Sequence, residues 1–295
     1  MRAFRVAYDG RPFHGFQRQP DVPTVENSIF TALRALGVLD SDAAKPDRYA
    51  AAGRTDAGVS AVAQTIGFEC PDWLTPRALN SELPGTVRAW AYAAVDDDFH
   101  ATHHAVRRTY VYYLYAPPVV STDAANSEPP RTLDGRPRVD DDRAEAALSA
   151  LSGAHDFHNL TPDSRGTERE LSGRLDREGD VLTIEVVAGG FARELVRRLV
   201  SVIHAVGTGE KPLEWIETLL SDGRVDPRPS PAAPEPLVLS GVEYPGVTFE
   251  RDRAAAESGA VAFGERAVAA RSIGRVSTAI SERLRAPPAT ASDKF

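Results

Sequence analysis

Arg48-Tyr49-Ala50-Ala51-Ala52-Gly53-Arg54-Thr55-Asp56-Ala57-Gly58-Val59-Ser60 is the stretch on which the fold turns. Arg48 to Ala52 reads as a short strand, Gly53 to Ser60 as a tight loop, and Val62 to Cys70 as the next strand. Glycines near either end of the loop permit backbone angles that other residues avoid. Asp56 therefore projects from a loop held between strands, a common way to present a catalytic group. An aspartate there can equally close a structural turn on nearby backbone amides. Local physics leaves both readings open.

Working outward, Arg2 to Tyr8 alternates as a strand, and a polar loop runs from Asp9 to Pro23. Thr24 is placed to cap a helix reaching about Leu36, with Val25, Ile29, Ala32, Leu33 and Leu36 on one face. Thr75-Pro76 opens a short helix with cap and N1 proline in preferred places, and Val87 to Val95 closes the set as a strand. The order is β-α-β-β-α-β, the ferredoxin-like split unit.

The rest repeats it. Thr109 to Tyr115 is a tyrosine- and valine-rich strand, followed by a linker holding Pro117, Pro118, Pro129, Pro130 and Pro137. Asp140 to Leu151 is a helix with an acidic first turn, which suits its dipole. Leu171 to Asp176 and Val181 to Ala188 form a hairpin around Arg177-Glu178-Gly179-Asp180. Phe191 to Val206 and Leu213 to Leu220 are helices, and Leu237 to Val242 is a last strand. The expected fold class is α+β, with two ferredoxin-like halves joined in a continuous mixed sheet. Helices lie on one side, and a cleft opens where the halves meet. Residues 1–104 and 105–244 are the halves, and 245–295 form a tail rich in Ala, Glu and Arg, of helical composition. The sequence does not decide whether that tail docks.

Composition bounds the function. A hydrophobic fraction of 42% and a charged fraction of 26% are ordinary for a globular chain. No apolar run has bilayer length, and the first residues lack a signal-peptide layout, so a cytoplasmic location is expected. Cys70 is the single cysteine, which excludes an internal disulfide and a cysteine-based zinc site. A net charge of -8 argues at first against nucleic acid. Yet the only lysines are Lys45, Lys211 and Lys294, so nearly all positive charge is arginine, suited to bidentate phosphate contact and stacking. Acid is clustered in Asp96-Asp97-Asp98 and Asp140-Asp141-Asp142 and can sit away from a basic cleft. An acidic, lysine-poor surface is what a salt-adapted protein carries.

Gly53-Arg54-Thr55-Asp56-Ala57-Gly58-Val59 resembles the signature of the TruA-type tRNA pseudouridine synthases. Further blocks support the resemblance in order: Tyr8-Asp9-Gly10 with Phe13-His14-Gly15-Phe16-Gln17-Arg18-Gln19, then Asp98-Phe99-His100-Ala101, then Arg108-Thr109-Tyr110-Val111-Tyr112. Gly153-Ala154-His155-Asp156-Phe157, Phe191-Ala192-Arg193-Glu194-Leu195-Val196-Arg197-Arg198 and Leu237-Val238-Leu239-Ser240-Gly241-Val242 complete it across about residues 2 to 244. The chain looks like an archaeal member, and its acidity like a halophilic one.

The resemblance implies the pseudouridine synthase fold, uridines of the tRNA anticodon stem-loop as substrate, no metal or organic cofactor, and a homodimer. It implies Asp56 as nucleophile, at C1′ or elsewhere on the nucleotide. It pairs Arg197 with Asp56 to keep the carboxylate ionised, and places Tyr110 where it can stack on detached uracil and meet the C5 proton. Without it, Arg197 reads as a helix-surface arginine and Tyr110 as a core aromatic. Arg54 would fill the space a flipped nucleotide leaves. Arg18, Arg107, Arg108, Arg193 and Arg198 could line the RNA path, with Gln17 and Phe191 as further substrate contacts. Ser60 stands where many bacterial members have histidine and Phe16 where many have tryptophan, which bears on groove contacts rather than chemistry. The tail has no counterpart in these blocks.

Other classes fit less well. A metal site built on His100, His103, His104, His155 or His158 would need three or four convergent ligands without cysteine. A non-catalytic RNA-binding module on this scaffold should show an aromatic- and glycine-rich RNP strand, absent here. A nucleosidase or glycosidase using Asp56 needs a second, protonated carboxylate, and none sits in these blocks.

The charge pattern carries its own test. With 42 acidic side chains against 34 Lys and Arg, added KCl screens net repulsion. Thermal unfolding should rise between about 0.1 M and about 2 M KCl, and an unchanged midpoint would remove the salt-adaptation reading.

Overall fold

The computed structural model describes residues 1–119, 132 and 135–285; Pro129, Pro130 and the last ten residues of the tail lie outside them. Its first half runs β1 (Arg2–Tyr8), α1 (Val25–Ala35), β2 (Ala50–Ala51), β3 (Ser60–Phe68), α2 (Pro76–Asn80) and β4 (Val87–Ala94). The second half runs β5 (Arg107–Tyr115), α3 (Asp141–Leu151), β6 (Gly153–Asp156), β7 (Glu168–Glu178), β8 (Val181–Ala188), α4 (Leu195–Gly207), α5 (Trp215–Leu220) and β9 (Leu237–Glu243). The tail adds β10 (Glu250–Arg251) and α6 (Arg253–Arg285).

Local chemistry sets the element ends. The Thr24 side chain accepts from Asn27 N at 3.3 Å, Thr75 from Ala78 N at 3.2 Å, and Asp140 from Arg143 N at 3.2 Å. Each satisfies an orphan donor in a first helical turn. Pro76 follows its cap at the position where a missing N–H costs nothing. On β1, Phe4, Val6 and Tyr8 are buried while Arg5 and Ala7 point to the other face. α1 packs with the first group, Phe30 lying 4.9 Å from Tyr49, which in turn leans on Phe68.

All strands share one sheet, in the order β10-β4-β1-β3-β9-β5-β8-β7-β6, with β2 also on β3. Within the first half the order β4-β1-β3-β2 is antiparallel throughout, as is β9-β5-β8-β7 in the second. The two β-α-β-β-α-β units are therefore present, joined edge to edge. The join is short and parallel: Ser60 pairs with Val238 and Ala61 with Leu239.

Two arginines reinforce that join. Arg108 of β5 is buried, and its guanidinium donates to Ala52 O at 2.7 Å and Thr102 O at 2.8 Å in the first half and to Gly189 O in the second. Arg5 of β1 reaches under β3, donating to Thr65 Oγ1 at 2.7 Å and to Val242 O of β9. The expectation that Arg108 lines the RNA path is corrected here. Its donors are spent on backbone carbonyls inside the protein.

Other differences have local causes. The strand read over Arg48 to Ala52 shrinks to Ala50–Ala51 because Arg48 adopts a φ of 54° and breaks the extension. β6 is an additional, mostly exposed edge strand paired with β7. α4 starts at Leu195 rather than Phe191: Glu194 takes a φ of 60°, while Arg193 N donates to Asp163 Oδ2 at 2.9 Å and Arg193 O accepts from Thr161 at 2.9 Å. The tail docks. Phe249 lies 4.1 Å from the Arg5 guanidinium on the sheet face away from α1, and Arg266 of α6 reaches Asp9 at 3.7 Å.

Replacing Arg108 by Met leaves carbonyls on both halves without a charged donor. Stability in a denaturant titration should fall by about 2–3 kcal/mol, and a change within error would mean the join does not depend on this side chain.

Candidate active site

The Asp56 loop is clamped from several sides. Phe16 N donates to Thr55 O at 3.1 Å, Gly58 N to Phe13 O at 3.3 Å, and Val59 N to Asp56 O at 3.1 Å. Gly58 turns the chain at a φ of 81°, and a Cβ on Gly10 would stand 2.0 Å from Val59 O, so that close approach needs glycine. Beneath the loop, Thr55 is hydrogen-bonded to Tyr8 and Gly53 O to Gln64. Ser60, one of the two departures from the resembled blocks, accepts from Gly10 N at 3.0 Å. Phe16, the other departure, is buried against Tyr8 with ring centroids 6.0 Å apart.

Asp56 opens into a cleft of about 1070 Å³ whose walls come from both halves of the fold. Arg197, in the first turn of α4, points its Nη1 at Asp56 Oδ2 from 3.5 Å. Its Nε is held by Ala232 O at 2.6 Å, and Ala232 N returns a bond to Arg197 O at 3.0 Å. Tyr110 of β5 lines the same cleft, its ring meeting Phe191 edge to face at 5.2 Å.

The electrostatics of Asp56 are a contest. Burial pushes its carboxyl above the ordinary aspartate value, Arg197 pulls it down, and the nearby Glu194 carboxylate adds to the rise. At 3.5 Å the ion pair is long, and burial outweighs it. Arg197 thus limits the rise rather than setting the carboxyl low. Burial pushes the Tyr110 phenol up to about 12, with Asp56 as the next cause, so Tyr110 is neutral at physiological pH.

Gln17, Arg18, Arg54, Phe191 and Arg193 also line the cleft. Arg54 is exposed and carries no ion pair among the described residues, while Arg18 lies 5.6 Å from the Phe30 ring. Arg193 is tethered to Asp163 at 3.4 Å. Two arginines are not brought into it. Arg107 pairs with Glu243 at 3.6 Å, and Arg198 is occupied by Glu194 at 2.6 Å and by Pro229 O. Lys45, His100, Thr102 and Glu194 line the cleft although sequence reasoning gave them no role there. His100 and Glu194 lay inside matching blocks, which was the available signal. The rings of His100 and His103 lie 4.2 Å apart, tilted by 36°. Among the described residues, no group of three or more His, Cys, Asp or Glu is arranged to hold a metal.

A tRNA pseudouridine synthase A of Haloarcula marismortui is 52% identical over 287 residues, covering 96% of this chain and 100% of that one. The chain belongs to the tRNA pseudouridine synthase A family. A relative from Natronomonas pharaonis is 55% identical, covering 90% of this chain and 93% of its own. One from Methanocella arvoryzae is 36% identical, covering 85% of this chain and 86% of its own. A family model described as tRNA pseudouridine synthase matches residues 147–245. Membership makes the chain an isomerase of the pseudouridine-forming class.

The raised Asp56 value has a thermodynamic consequence. A carboxyl titrating higher in the folded than in the unfolded chain opposes folding once ionised, the penalty growing between the two values and holding above them. Asp56→Asn should therefore melt no lower than wild type at neutral pH, with an advantage that shrinks in acid. Arg197→Met should move the acid limb of the reaction rate to higher pH. An unmoved limb would show that Arg197 does not act on Asp56.

Proposed function

We propose that this enzyme converts uridines in the tRNA anticodon stem-loop to pseudouridine, with Asp56 as nucleophile and no cofactor. The observation carrying the reading is a half-buried carboxylate at the meeting of two walls, with a tethered arginine at 3.5 Å and a neutral tyrosine beside it. That arrangement fits a step needing one carboxylate and no redox change. In the C1′ form of the mechanism, Asp56 attacks C1′ as the C1′–N1 bond breaks and uracil leaves with the electron pair. The uracil turns over, C5 attacks C1′ and expels Asp56, C5 loses its proton and N1 gains one. Atoms and charge balance without another reactant. Tyr110 offers a ring face to the detached base and a hydroxyl through which the C5 proton can pass. Arg197 keeps Asp56 ionisable and aimed.

Access requires the nucleotide to leave its stack. Arg54, exposed and without an ion pair among the described residues, is placed to enter the space vacated. Arg18, Gln17 and Arg193 are placed along the same cleft for the flanking strand. The family resemblance supports a homodimer as the working assembly. A tRNA substrate supports a cytoplasmic location, and among the described residues no helix is long and apolar enough to cross a membrane.

The test is pseudouridine mapping by carbodiimide primer extension on an unmodified tRNA transcript, with wild type and Asp56→Asn. Site-specific product in the anticodon arm from wild type, lost in the variant while RNA binding persists, is the expected result. Product outside that arm would overturn the substrate assignment. Release of free uracil would point to a nucleosidase, and binding without product to a non-catalytic module.

A further inference from the structure

We infer that Tyr8, Thr55 and Gln64 form a buried hydrogen-bonded brace that positions Asp56, so that the reaction rate depends on their polar atoms. The inference rests on the proposed role of Asp56. All three side chains are almost fully buried, at 1%, 5% and 0% exposure. The Tyr8 hydroxyl lies 2.8 Å from Thr55 Oγ1. Gln64 Nε2 donates to Gly53 O at 2.9 Å and more weakly to the Tyr8 oxygen at 3.5 Å. Gln64 Oε1 accepts from Thr65 N at 3.1 Å, which fixes the amide. Burial pushes the Tyr8 phenol well above its ordinary value, so it remains a neutral hydrogen-bonding group.

The placement of these bonds is the argument. Tyr8 comes from β1 and Gln64 from β3, neighbours that pair along the centre of the first half. Their ties reach the loop at Gly53 and Thr55, on either side of Arg54 and immediately before Asp56. Between the ties Arg54 projects outward; beyond them Asp56 enters the cleft. Polar groups this deeply buried are a costly filling for a core, and an apolar trio of matching shape would pack without desolvating a hydroxyl or an amide. What the polar trio supplies is direction. Each bond restricts the loop backbone in a way that packing alone does not, and nucleophilic attack tolerates little displacement of its carboxylate. These are positioning residues. Tyr8 and Gln64 do not line the cleft, whereas Thr55 does.

Tyr8→Phe and Thr55→Val each delete one side of the same bond with almost no change of shape. Single-turnover rates on a tRNA transcript, RNA affinity and melting curves would be measured for both, for their double variant, for Thr55→Ser and for Asp56→Asn. Each single variant should lose about tenfold to a hundredfold in rate while RNA affinity holds and the protein stays folded at the assay temperature. Thr55→Ser should recover most of the loss, because it keeps the hydroxyl. The double variant should be no slower than Tyr8→Phe alone, because Tyr8→Phe already removes the Tyr8–Thr55 bond together with the weaker Gln64 contact. Wild-type rates in Tyr8→Phe and Thr55→Val, with Asp56→Asn inactive, would overturn the brace and leave the role of Asp56 standing. Thr55→Ser falling as far as Thr55→Val, or additive losses in the double variant, would also overturn it. An active Asp56→Asn would instead remove the reading on which the brace rests.

Discussion

Everything at the site depends on how one edge of β3 is shared. Near its end, Ile66 and Gly67 pair with Ala51 and Ala50 of β2; near its start, Ser60 and Ala61 pair with Val238 and Leu239 of β9. The chain must therefore leave β2 beside the first half's own edge and re-enter β3 where the second half begins. The Asp56 loop is the connection between those two points. It is held at the seam by the geometry of the sheet, and the second half supplies Tyr110 and Arg197 across from it. Since only two residue pairs make the parallel contact, the charged bonds of Arg108 and Arg5 across the seam take on much of the work of fixing the halves together.

The charge distribution follows the same division. In a chain of net charge -8, many exposed arginines are neutralised in place, as with Arg11 on Asp9, Arg48 on Glu69 and Arg174 on Glu185. Arg18, Lys45 and Arg54 carry no ion pair among the described residues and stand on the first-half wall of the cleft. Net acidity and a polyanionic substrate are thus compatible, because what an RNA strand meets is the local field rather than the sum. Of the acidic groups that reach the cleft besides Asp56, Glu194 and Asp163 are each committed to an arginine, and Glu26 accepts from the backbone N of Arg18 at 2.8 Å.

Much of this was legible in the sequence where a single local rule decides. The capping residues Thr24 and Thr75 marked their helices because cap chemistry is local, and the acidic run from Asp140 marked a third through its dipole. Asp56 was legible as a presented carboxylate only once the resemblance was added, since a loop aspartate alone has two readings. The burial of Arg108 had a signal that was not used. It shares strand parity with Tyr110 and Tyr112, both buried, while Arg107 and Tyr113 on the opposite parity are exposed. The Glu194 turn that delays α4 had none, because it depends on Asp163 and Thr161, some thirty residues away in sequence. The brace beneath Asp56 was illegible for the same reason: Tyr8, Thr55 and Gln64 come together only when β1 and β3 pair.

The sheet also shows why the cleft is where it is. A continuous sheet must satisfy its backbone groups everywhere, including its ends and irregularities. Its outer edges finish in short strands, β10 and β6, with charged side chains, which discourages further pairing. Inside it, the register between β1 and β3 slips after Val6, leaving Val62 and Ala63 without partners there. Side chains take over: Trp90 Nε1 donates to Val62 O at 2.8 Å and Arg5 to Ala63 O at 3.1 Å. With the edges closed, the slip repaired, and the tail laid on the face away from α1, the seam between β2 and β9 is left as a place where two walls approach without merging. A carboxylate placed there, as Asp56 is, is partly desolvated and still within reach of a strand from outside, which is the combination that the proposed chemistry on an extruded nucleotide requires.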